Sequence, residues 1–186
     1  MPVDSPKPSF ETLVLPEMDA AYSFARWMTG NPTDAQDVVQ DAMVRMLKYI
    51  DTFRGGNART WVLSVVRNTA LTWLETNRRP GQISLDDDSD RAAAVDDLLV
   101  AHGEDGGDPA AIQLQRSEIE ALHRAIRELP IEQREVVLLR DVEGLSYREI
   151  ATVLEVPPGT VMSRLARARD VLGQRLRGPQ EVRHDA

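Results

Sequence analysis

Three groups of side chains in this sequence have types and spacings suited to binding. Asp37, Gln40 and Asp41 fall three and four residues apart, so a helix would present them as one polar, largely acidic strip. Between residues 54 and 79 the bases Arg54, Arg59, Arg67, Arg78 and Arg79 meet only Glu75, and Phe53, Trp61 and Trp73 are interleaved with them. Guanidinium groups neutralise phosphates and aromatic faces stack on bases, a combination that suits single-stranded nucleic acid. Thr160, Ser163, Arg164 and Arg167 repeat the helical spacing with groups that reach phosphates and base edges. Bond-making chemistry is not indicated. His102, His123 and His184 are scattered, cysteine is absent, and no metal-ligand or nucleophile-base spacing occurs, so neither a cofactor, a metal site nor an enzyme is expected.

Each group also has a plainer reading. Asp34, at the start of the strip's helix, compensates the helix dipole, and Asp41 pairs with Arg45 one turn on. Trp61 and Trp73 are core residues, and the arginines of the last group keep a surface helix soluble. Asp41, two turns into its helix, lies beyond useful reach of the terminus, which leaves a partner contact open for it.

The elements that position these groups are helical throughout. A first helix is expected at about Asp19 to Thr29, with Tyr22, Phe24 and Trp27 as core aromatics. Thr33 to Gln36 reads as a capping box, Thr33 accepting a backbone N–H and Gln36 reaching back. The helix it opens runs to about Ile50 and buries Ala35, Val38, Val39, Ala42, Met43, Met46, Leu47 and Ile50. Gly55, Gly56 and Asn57 allow a tight loop before a third helix, about Ala58 to Asn77, with Trp61, Val62, Val65, Val66, Thr69, Ala70 and Trp73 on one face. Further on, Asp108-Pro109 opens a helix that Pro130 ends, and a second spans Glu132 to Asp141, stopped by Glu143-Gly144. Ser146 to Glu149 is another capping box, opening a short helix through Leu154 that turns Ile150, Ala151 and Leu154 inward. Glu155 to Pro157 is a turn, and the helix from Pro158 buries Val161, Leu165, Ala168, Leu172 and Leu176. Two helices joined by so tight a turn make a helix-turn-helix, and the polar groups Thr160, Ser163, Arg164 and Arg167 sit in the half that enters a major groove.

The chain has 186 residues and a formal net charge of −8, and the charge is unevenly placed. Residues 1–80 hold nine acids and nine bases, and residues 116–186 hold twelve of each. All the excess falls in residues 81–115, where nine acids face Arg91 alone beside the Gly-rich run 103–107. That segment reads as an acidic linker, either a solvated spacer or a polyanion that occupies a basic channel in a partner. Four segments follow: a helical domain over 1–80, the linker 81–115, a helix-turn-helix domain over 116–178 and a tail, 179–186. The fold class is all-α, two small helical domains on a flexible acidic linker. The sequence shows neither an export signal nor the roughly 20 apolar residues of a membrane span, so a cytoplasmic protein without membrane insertion is expected.

Asp34-Ala-Gln-Asp-Val-Val-Gln-Asp41, Phe53-Arg-Gly-Gly, Arg59-Thr-Trp61 and Val66-Arg-Asn68 resemble region 2 of the extracytoplasmic-function (ECF) group of the sigma-70 family. Gly144-Leu-Ser-Tyr-Arg-Glu-Ile-Ala151 and Gly159-Thr-Val-Met-Ser-Arg-Leu-Ala-Arg-Ala-Arg169 resemble its region 4, in the same order and spacing. The resemblance implies a sigma factor that binds RNA polymerase core, beta and beta-prime subunits included, and directs initiation by recognising −35 and −10 promoter elements. By that analogy Asp37, Gln40 and Asp41 grip the polymerase clamp. Asn57, Arg59, Trp61 and Arg67 capture a flipped base of the −10 element, and Thr160, Ser163, Arg164 and Arg167 contact the −35 element. The acidic linker threads the RNA exit channel, and an anti-sigma factor is the expected inhibitor. Met162 departs from the family, which often has a basic residue there, and Met makes no bidentate contact to guanine. The rival reading is a stand-alone helix-turn-helix regulator with a helical sensing or dimerisation domain, which leaves the basic aromatic segment and the linker without a purpose.

Overall fold

The computed structural model describes residues 9–77 and 109–177, and every regular element among them is helical. They form two compact units. The first joins residues 9–77 to 138–161, and the second joins 109–137 to 162–177. The linker's acidic run, Arg78, Arg79, Asp108, His102 and His184 lie outside the described residues.

In the first unit, α1 (Phe10–Leu13) and a 3-10 turn (Leu15–Glu17) lead into α2 (Met18–Thr29), α3 (Pro32–Tyr49) and α4 (Ala58–Asn77). These last three pack as a bundle. Its interior is made by Phe24, Met28, Val38, Met46, Val62, Leu63 and Val66, all effectively inaccessible to water. Gly30 ends α2 in the left-handed region at φ +95°, which glycine adopts without a Cβ penalty. The α3 start corrects the expectation from sequence. Asn31, not Thr33, is the cap: its Oδ1 accepts from the Asp34 backbone N–H at 2.8 Å, and its amide donates to the Asp34 carboxylate. Pro32 takes the first helical position, where a missing N–H is harmless, and so moves the helix start one residue ahead of Thr33.

The same unit contains a stretch from the other end of the sequence. A π-helical turn at Leu138–Val142 closes with Glu143 N–H donating to the Leu138 carbonyl at 2.9 Å, and Gly144 at φ +71° redirects the chain. Then α5 (Tyr147–Leu154) begins on Ser146 with the capping box complete. The Ser146 Oγ accepts from the Glu149 backbone N–H, and Ser146 donates its own N–H back to the Glu149 carboxylate at 2.8 Å. Ile150, Ala151, Val153 and Leu154 are buried, and α5 packs against α4. Glu155 turns the chain in the left-handed region at φ +56°, and Val156 N–H returns to the Ala151 carbonyl.

In the second unit, α6 (Pro109–Arg127) is followed by α7 (Ile131–Val137). Arg134 ties the two together by donating to the carbonyls of Arg127 and Leu129 at the end of α6. Burial lowers its pKa from the ordinary guanidinium value, with Arg127 adding repulsion. The long helix α8 (Pro158–Leu176) starts in the first unit and continues in the second. Val161, Leu165, Ala168 and Leu172 are buried as expected, but Leu176 is exposed. Periodicity carries the apolar stripe one turn past the point where the helix is covered. Leu47 of α3 departs in the same way, exposed at 55%, while Met43 and Ile50 are half-buried.

Candidate nucleic-acid interface

The loop that starts α4 is shaped by its own side chains. Gly55 and Gly56 both hold positive φ, +91° and +99°. Asn57 then caps α4, its Oδ1 accepting from the Arg59 backbone N–H at 3.0 Å and its carbonyl from Trp61 N–H at 3.3 Å. Trp61 is half-buried and meets Phe53 edge to face, with ring centroids 5.7 Å apart and planes at 62°. The pair fixes the loop across its two ends and leaves part of the indole accessible. Arg67 is half-buried two turns along α4 and donates to Asn68 Oδ1 at 3.3 Å. Trp73 is also half-buried, neither fully core nor free.

Both polar groups of this loop are engaged by carboxylates. Arg59 donates one terminal nitrogen to Glu143 at 2.5 Å and the other to Glu17 at 3.4 Å. Its Nε is buried and has no partner among the described residues. Asn57 donates its amide to Glu149 Oε1 at 2.5 Å. The Glu143 side chain is 3% exposed, and burial raises its pKa from the ordinary carboxylate value, with the neighbouring Arg59 charge and hydrogen bonds from Arg59 and Ser23 pulling it back down. Glu149 moves the other way, lowered by its hydrogen bonds from Ser146 and then from Asn57. These acids escape the sequence reading because Glu143 reads as part of a helix stop and Glu149 as half of a capping box. Nothing local marks a second role.

Asp37, Gln40 and Asp41 are all exposed on α3, opposite the buried Val38, Val39 and Ala42. The strip continues into Val44, 62% exposed, and Leu47, two large apolar groups on the same face. On α8, Ser163 and Arg167 are exposed, and Thr160 and Arg164 are half-buried. Met162 is 50% exposed beside them. The turn before this helix is closed by Thr160 and Val161 N–H groups on the Pro157 carbonyl. The structure thus keeps the three groups on three separate elements: the α3 and α8 groups each share one helical face, whereas Asn57 caps α4 and Arg59 and Trp61 point to different sides of its first turn. No cluster of metal-binding side chains occurs among the described residues. Nor is any described helix long and apolar enough to cross a membrane.

Residues 13–80 match the family model for sigma-70 region 2, and residues 119–172 match that for sigma-70 region 4. The chain is 36% identical over 177 residues to the RNA polymerase sigma-H factor of Pseudomonas aeruginosa, covering 91% of this chain and 87% of that protein. It is 34% identical over 151 residues to the ECF RNA polymerase sigma-E factor of Escherichia coli K12, covering 77% of this chain and 74% of that protein. Among solved structures it resembles CnrH, determined in complex with the cytosolic domain of CnrY, with a TM-score of 0.60, 26% identity and coverage of 91% and 88% of the two chains.

Proposed function

We propose a division of labour for a chain that belongs to the extracytoplasmic-function group of the sigma-70 family. As a member of that family it is a sigma factor, a partner of RNA polymerase and promoter DNA that directs promoter-specific transcription initiation. Residues 1–80 bind polymerase core through Asp37, Gln40 and Asp41 and receive the −10 element on Asn57, Arg59, Trp61 and Arg67. Residues 116–178 receive the −35 element on Thr160, Ser163, Arg164 and Arg167. The acidic segment 81–115 connects the two without touching DNA, and the whole works in the cytoplasm.

The observation that carries this reading is the helix-turn-helix around Pro157. Its second helix buries Val161, Leu165, Ala168 and Leu172 and leaves Ser163 and Arg167 at the surface. A groove-reading helix needs that arrangement, because only side chains opposite the packed stripe can reach base edges. The acidic strip on α3 supports the polymerase contact in the same way. It is exposed at every position while the residues between are buried, so its acids are free to meet a partner. Since the related CnrH was solved bound to the cytosolic domain of CnrY, a further protein partner of this chain, expected to be an anti-sigma factor, is part of the proposal.

The test is reconstitution with polymerase core and promoter DNA. Specific transcripts are expected only when chain and core are both present, and Asp41→Arg should abolish association with core while leaving the helical circular dichroism unchanged. Unchanged affinity for core would remove the role given to the α3 strip. Tight sequence-specific binding of promoter DNA by the free chain would favour the stand-alone regulator instead.

A further inference from the structure

We infer that residues 143–149 act as an internal stand-in for promoter DNA, holding the −10 reading loop closed until polymerase core displaces them. The inference rests on the reading of Asn57 and Arg59 given above. In the first unit both residues are already occupied: Arg59 by Glu143 and Glu17, and Asn57 by Glu149. A carboxylate presents an arginine with the same charge and the same planar acceptor pair as a phosphate edge, so Glu143 fills the position a backbone phosphate would take. Asn57, whose amide would donate to a base edge, gives that donor to Glu149 instead.

The two acids come from one short stretch, and its geometry makes them act together. Gly144 turns the chain immediately after Glu143, and the capping box fixes the Glu149 carboxylate at the start of α5. Because α5 packs on α4, the Glu149 carboxylate is presented to the loop from a packed helix, and Glu143 reaches it from the turn just before that helix. Glu17 differs, since it belongs to the same N-terminal helices as Arg59 and stays beside it when the 138–161 stretch leaves.

The contact is specific but not strong. Pairing offsets only part of the cost of burying the Glu143 carboxylate, and a buried ion pair gains little over its desolvated parts. Glu149 remains near solvent, where a polar contact is screened. A contact of that kind opens when a competing surface binds either side. The apparent affinity of the free chain for DNA is then reduced by the fraction of molecules that are open.

The probe is a fluorescein-labelled single-stranded DNA of random sequence, with anisotropy read on the free full-length chain. Glu143→Gln with Glu149→Gln keeps side-chain size and the capping-box pattern, which accepts Gln as well as Glu. The double variant should bind at least about tenfold more tightly than the parent, a difference of about 1.4 kcal/mol. Adding Arg59→Ala should cancel the gain. A double variant that binds like the parent, or a gain that survives Arg59→Ala, overturns the inference. Holoenzyme carrying Arg59→Ala alone separates the two levels. If it fails to initiate while the double variant shows no gain, the −10 reading stands and the inference falls. If it initiates normally, the −10 reading falls and takes the inference with it. A second measurement needs no DNA. The chain has no cysteine, so Asn57→Cys with Glu149→Cys offers a short bismaleimide one thiol pair. Cross-linking is expected in the free chain and lost on core binding; equal cross-linking in both states, or none in the free chain, overturns the inference.

Discussion

Arg59 at the start of α4 has both terminal nitrogens on carboxylates, whereas Arg167 on α8 lies exposed on a helix whose opposite stripe is buried. Both are proposed to touch promoter DNA, and they illustrate two ways of displaying a cation. On α8 the presentation is a consequence of the 3.6-residue period alone, because burying Val161, Leu165, Ala168 and Leu172 leaves the other face to solvent. On α4 the arginine sits at a helix start beside a loop, and its surroundings are set by residues 42 and 84 positions away in the chain. The first kind of surface is legible from local sequence and open to solvent. The second is assembled by tertiary structure and controlled by what else occupies it.

The largest effect expected from breaking this contrast comes from the bundle that places the α4 loop. Phe24 is fully buried, and Phe24→Ala should cost about 3 to 5 kcal/mol of unfolding free energy in urea titration. A loss well below that would show that α2 does not support α4 as the packing indicates. Next comes the α8 face, where Arg167→Ala should weaken −35 recognition by about 1 to 3 kcal/mol if it reads a base. Run-off transcription from promoters differing only in the −35 element checks this, and an unchanged preference would move Arg167 to a phosphate-contact role or none. A smaller change is expected at the loop itself. Gly55→Ala meets no steric obstacle, but its φ of +91° suits glycine, so a cost of about 1 to 2 kcal/mol should appear as a lowered Tm. An unchanged Tm would mean that the loop relaxes.

Helix α4 was legible from sequence to the residue, and so were the Ser146 capping box and the buried stripe of the helix-turn-helix as far as Leu172. Those features depend on spacing within one element. Thr33 misleads because its Ser/Thr-x-x-Gln spacing imitates a capping box, while Asn31-Pro32 carries the stronger local signal of a cap followed by a first helical proline. Leu47 and Leu176 continue their apolar periods, but period says nothing of where the covering partner ends. The partners of Asn57 and Arg59 were not legible at all. Glu149 and Glu143 stand 92 and 84 residues away, and no local pattern records such a pairing.

Those two acids also give the smallest and most discriminating effect, because their titrations have opposite signs. The folded-state pKa of Glu143 is raised by burial, so the stability it contributes is present below the ordinary carboxylate pKa and lost as pH rises through the raised value. The folded-state pKa of Glu149 is lowered, so its contribution is present above the ordinary value and lost as pH falls through the lowered one. Relative to the parent, Glu143→Gln should therefore gain stability as pH rises from the acidic side, and Glu149→Gln should lose it. Urea midpoints for the parent and both single variants across the weakly acidic range provide the measurement. Parallel curves for Glu143→Gln would mean that burial does not outweigh the pull of Arg59 and Ser23 on this carboxylate. A flat difference for Glu149→Gln would mean that Ser146 and Asn57 bind the neutral side chain as well as the ionised one. The opposite signs separate the two acids: Glu143 is shifted by burial and Glu149 by its hydrogen bonds from Ser146 and Asn57, so each single variant reports on a different contact of the Asn57–Arg59 loop.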